Sequence, residues 1–103
     1  MGFTQYPPEN HSRTVTDADA TAAIGDNGGI IYMSSASAHS VTFPTACKVP
    51  NFNCIVMQIG AGTVSLVGTS NLSSLSDLGG QRAAAGIIYS ANLDEFVASG
   101  QLA

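Results

Sequence analysis

The stretch TDADATAAIGDNGG gathers Asp17, Asp19, Asp26 and Asn27. Their side-chain oxygens are of the kind that calcium collects. An EF-hand loop wants a glycine in its middle and a glutamate at its end, and this stretch matches neither position. Turn formation and helix capping account for the same residues more simply. His11, His39, Cys47 and Cys54 are zinc-type ligands, but the histidines are isolated and the cysteines lack CxxC spacing. Asp94 and Glu95 are adjacent carboxyls. On a strand they point to opposite faces and cannot act together on one glycosidic bond. Serines are plentiful, yet no GxSxG elbow and no phosphate-cradling glycine loop with its lysine occurs. A Ser-His-Asp set assembled only in space stays open at this level. The expectation is no catalytic, cofactor or metal site, and a protein that is not an enzyme.

Aromatic rings offer a different chemistry. Tyr32, Phe52, Tyr89 and Phe96 could line a sugar-binding face. Core and subunit-interface packing is the commoner use of aromatics at strand positions, and no tryptophan marks an exposed platform. Packing is therefore favoured, with Tyr32, Tyr89 and Phe96 as the candidate oligomer interface.

These residues sit in a chain of 103 residues, one domain's worth, able to bury only a thin core. Three basic groups stand against seven acidic ones, for a formal charge of −4. Lys48, Arg13 and Arg82 make no basic stripe, which argues against nucleic acid as a partner. Only 10% of residues are charged while 45% are apolar. A surface so poor in charge is covered either by small polar residues or by other chains. No apolar run reaches the roughly 20 residues that span a bilayer, and MGFTQYPPENHSR does not read as a secretory signal. Gly2 is followed by Tyr6 where a myristoylation motif wants Ser or Thr. Cys54 lies in the apolar run CIVMQI and reads as a small buried hydrophobe; a bridge to Cys47 across the Pro50 turn is the alternative.

The elements that must position these groups are short. Residues 1–13 are polar and hold Pro7-Pro8, which lack amide hydrogens and push Tyr6 toward an extended form. They read as an extended N-terminal arm, with Phe3 and Tyr6 as anchors, ahead of a single domain over residues 14–103. Thr14–Thr16 is a strand candidate. One helical turn is possible before Gly25, and DNGG ends it. Ile30–Met33 is the next strand. In His39–Phe43, Val41 and Phe43 face one way and Ser40 and Thr42 the other, until Pro44 stops the run. Asn53–Ile59 places Ile55, Met57 and Ile59 on one face and Cys54, Val56 and Gln58 on the other. GAG at Gly60–Gly62 then reads as a hairpin loop returning into Thr63–Val67, with Val64 and Leu66 inward. Leu72, Leu75 and Leu78 pin a polar meander. Ala83–Tyr89 and Glu95–Ala98 are the last strands. GIIY occurs twice, at Gly29–Tyr32 and Gly86–Tyr89, and suggests two neighbouring central strands covered on both faces. About seven short strands without a long helix predict an all-β fold, a small β-sandwich or jelly-roll-like barrel.

TVTDADA, IIYMSS, HSVTFP, CIVMQIGAGTVSLVG and AAAGIIYSANLDEFVASGQL, in this order, resemble the small β-rich module of tailed-bacteriophage virion proteins. Similar modules occur in head decoration (cement) proteins and at the ends of tail fibres. The resemblance runs over the chain beyond the arm. It implies a non-enzymatic virion component, a homotrimer, made in the host cytoplasm and carried on the virion. Such modules often carry a tryptophan on the last strand where this chain has Phe96. A short chain with its own methionine, an arm and no β-helical shaft suits capsid decoration: a protein on the outer capsid surface that binds the major capsid protein. Phe3, Tyr6, Pro7, Pro8 and Arg13 would form the capsid-binding arm, and three arms per trimer would add their weak contacts. The alternative is a receptor- or glycan-binding component of the tail.

Overall fold

A computed structural model describes residues 12–70 and 75–103 of the chain. The expected arm residues Phe3, Tyr6, Pro7 and Pro8, and also His11 and Leu72, lie outside the described residues. Among the described residues nine strands form. They are β1 (Arg13–Thr16), β2 (Ala20–Thr21), β3 (Ile30–Ser34), β4 (His39–Thr42), β5 (Asn53–Gln58), β6 (Val64–Val67), β7 (Thr69–Ser70), β8 (Ala84–Ser90) and β9 (Glu95–Gly100). Single 3-10 turns occur at Ile24–Asp26 and Thr45–Cys47, the first running through Gly25 and Asp26 rather than ending before them.

The strands make a mixed large sheet, ordered β1-β3-β5-β8-β9-β7, and a small sheet, ordered β2-β4-β6. The chain alternates between them: β1, β3 and β5 stack in parallel in one, and β2, β4 and β6 stack in parallel in the other. Each pair β1-β2, β3-β4 and β5-β6 is thus one rung of a short coil. The hairpin β8-β9 then extends the large sheet, with β8 antiparallel to β5, and β7 pairs in parallel with β9 at its edge. The expected all-β domain is present. The parallel rungs differ from the antiparallel strands of a jelly roll.

The alternation seen in the sequence sets which side chains enter the space between the sheets. Ile31, Val56, Ala85 and Ile87 from the large sheet meet Val41, Val64 and Leu66 from the small one, and all are buried. Phe96 is the hub of the aromatic cluster. Its ring centre lies 5.7 Å from Phe43, 6.1 Å from Phe52 in an edge-on contact and 5.6 Å from Tyr89. Burying such a ring stabilises the fold by about 1.5–3 kcal/mol.

The expected GAG hairpin does not form. β5 and β6 belong to different sheets, and Gly60–Gly62 is the corner between them. A Cβ on Gly60 would stand 2.2 Å from the Ser35 carbonyl oxygen, and one on Gly62 would stand 2.0 Å from that of Ser37. The glycines are therefore there for close stacking on the corner of the rung below, not for a left-handed turn. The two GIIY segments also differ from expectation. β5 lies between β3 and β8, with Ile30 opposite Ile55 and Ile55 opposite Gly86. Their alternation is reversed: the second isoleucine of the first copy, Ile31, is buried, whereas in the later copy the first, Ile87, is buried and Ile88 is exposed. They are the same letters in opposite settings, covered on one face rather than two.

The two ends of the coil are finished differently. On the far side of β6, Leu66 N–H donates to the Ser76 carbonyl at 2.7 Å and Leu78 N–H to that of Val64 at 2.9 Å. At the other end β1 and β2 are the terminal strands of their sheets. Arg13 opens β1 rather than ending an arm, and it shares the inward parity of Val15. Its Nε donates to Asp26 Oδ1 at 2.8 Å, and Nη2 to Asp26 Oδ2 at 3.1 Å and the Thr21 carbonyl at 3.0 Å. This two-pronged grip ties β1 to the rest of its own rung.

Candidate interaction surface

The residues with chemical potential are dispersed. Asp26 is buried and also accepts from Ala23 N–H at 2.8 Å. Asp19 accepts from His39 Nδ1 at 2.9 Å and from Ser40 N–H at 3.0 Å, which hold its carboxyl below the usual range, the Ser40 bond first. Asn27 Oδ1 accepts from Asn53 N–H, and Asp17 occupies a left-handed position with φ 53°. Asp26 alone closes its own turn, as the capping reading expects; Asp19 and Asn27 instead tie their segments to β4 and β5. Cys47 and Cys54 are buried, unbridged thiols. Asp94 and Glu95 part company: Asp94 Oδ1 accepts from the Tyr89 hydroxyl at 2.7 Å, and Glu95 Oε1 from Ser70 Oγ at 2.6 Å. Among the described residues no three of His, Cys, Asp and Glu converge as metal ligands would.

Two hollows of about 310 and 290 Å³ open on the surface. The first is lined by Gly79, Gly80, Gln81, Arg82, Ala83 and Gln101, with Arg82 its one ionisable side chain. Asn51, Phe52, Asn53, Ile88 and Tyr89 line the second. Neither brings an acid and a base together.

The aromatic candidates separate as well. Phe96, expected at an oligomer interface, is buried at the centre of the core, so it is corrected to a core residue. Phe52 is buried too, and Tyr89 packs on Phe96 from the inward face of β8. Tyr32 alone of the group lies on the outer face of the large sheet, opposite Met57.

That outer face has the most distinctive chemistry among the described residues. Three rows of side chains cross it: Thr14, Tyr32, Met57 and Ala84; then Ile30, Ile55, Gly86 and Ser99; then Asn53, Ile88, Val97 and Ser70. None of these is charged. Ile55 is 42% exposed and Ile88 52%. A contiguous apolar patch left bare in this way is the usual mark of an interaction surface. Ile55, Gly86 and Ile88 are not among the residues expected from the sequence to form an interface. The signal was present in CIVMQI, apolar on both faces of one strand: when one face fills the core, the other needs a second cover.

Comparison of the chain with protein-family models, with curated proteins and with solved structures found no match.

Proposed function

We propose that this protein is a non-enzymatic structural component of a tailed-phage virion, a capsid decoration protein that binds the major capsid protein. The observation that carries this reading is the uncharged, exposed outer face of the large sheet, set against Asp19, Asp26, Asp94 and Glu95, each engaged in its own separate hydrogen bonds. Such a molecule is built to be covered by protein rather than to hold a reacting substrate. The sequence resemblance supplies the virion setting and the homotrimer. The architecture is read as an open sandwich of stacked rungs. Residues 1–11 supply the capsid-binding arm, with Arg13 assigned instead to the grip on Asp26. Cryo-microscopy of the intact particle tests the proposal. Density for this chain on the capsid is the expected result, and density on the tail alone rejects it.

A tail component is the second reading, and one observation favours it. The parallel rungs β1-β2, β3-β4 and β5-β6 are a short β-helical coil, which the sequence reading did not foresee. Stacked coils of this kind build extended, quasi-linear structures.

A further inference from the structure

Among the described residues nothing requires glycine at position 86. The other glycine within a strand, Gly100, has φ 133°, and a Cβ there would stand 2.7 Å from the Ala84 carbonyl oxygen. At Gly86 φ is not positive and an added Cβ meets nothing within 4 Å. Glycine inside a strand weakens it, and where it persists it often marks the close approach of another backbone or ligand. Among the described residues nothing makes that approach. Gly86 lies on the outer face of the large sheet, paired with Ile55 on β5 and two residues from Ile88 on its own strand. The face therefore carries a dimple with two projecting isoleucines beside it.

We infer that this face packs against a second copy of the chain, with Ile88 of one copy seated in the dimple over Gly86 of the next. The inference deepens the structural reading above and rests on it only for its setting. Three features select a sister copy as the occupant. Knob and hole lie side by side on one patch, as self-complementary packing requires. The patch is uncharged in a chain of formal charge −4, so like copies meet there without repulsion while a cationic partner finds nothing to pair with. The polar edge of Thr14, Asn53, Ser70 and Ser99 supplies the rim that surrounds such a centre. Seating can be mutual, closing a dimer, or cyclic, closing the trimer that the resemblance implies.

Sedimentation of the purified full chain over about 1–200 µM tests this, a range that brackets micromolar association. The expected result is a closed dimer or trimer for the natural chain. Gly86→Leu and Ile88→Lys should each remain monomeric, with circular dichroism unchanged because both positions are open to solvent. A monomer at the highest concentration overturns the inference. So does undiminished assembly of Gly86→Leu, since the filled dimple would then be irrelevant. Particle binding by a monomeric natural chain would reject self-packing and keep the virion reading. A well-formed oligomer absent from particles would do the reverse.

Discussion

Cys54 shows how one residue's surroundings decide its chemistry. Burial pushes its thiol up to about 12, with the Asp26 carboxylate adding to the effect. Burial raises Cys47 in the same direction. Thiolate is the reactive form, and at pH 8 only about one Cys54 in 10,000 carries it. Neither cysteine should react with a thiol reagent at pH 8 in the native protein, whereas both should react at once in denaturant. Prompt modification of one native thiol would contradict the packing around it. The apolar setting of Cys54 was legible in CIVMQI, because its neighbours at alternate positions, Val56 above all, are core residues. The placement of Arg13 was not. A charged residue next to a polar leader reads as part of that leader, and only the stacked rung shows that its parity turns it toward Asp26.

Elements were read well from alternation and poorly from connection. Val41 with Phe43, and Val64 with Leu66, face the core as expected. A three-residue glycine loop between two alternating strands looks the same whether it folds back as a hairpin or turns a corner between sheets. What separates the two is the segment packed against the loop, and Ser35 and Ser37 are far from it in the chain. The corner makes a sharp prediction. Gly62→Ala should lower unfolding stability in urea by about 2–3 kcal/mol, because the methyl group strikes backbone that cannot give way. Gly25→Ala, whose added carbon meets nothing within 4 Å, should stay within about 0.5 kcal/mol of the natural chain. Equal midpoints for the two variants would mean that the corners do not stack.

For the whole molecule, surface carboxylates join segments that are distant in sequence. Asp19 links the first rung to β4 through Ser40 N–H and His39. The Tyr89 hydroxyl, and after it Lys48, hold Asp94 below the ordinary carboxylate range. A carboxyl depressed in the folded state contributes stability above its unfolded value, and that contribution is lost as pH falls through the folded one. The thermal midpoint should therefore be level from neutral pH to about 5 and fall below about 4, where unfolded carboxyls begin to bind protons. Asp19→Asn should show a shallower fall; an unchanged acid profile would remove Asp19 from the account. The unlike ends of the coil reach further. Ser76 and Leu78 roof one end, while β1 and β2 are terminal strands at the other. Copies meeting through their bare β1-β2 ends would each present a lidded small sheet on the opposite side, leaving β7 as the last strand through which the large sheet could be extended.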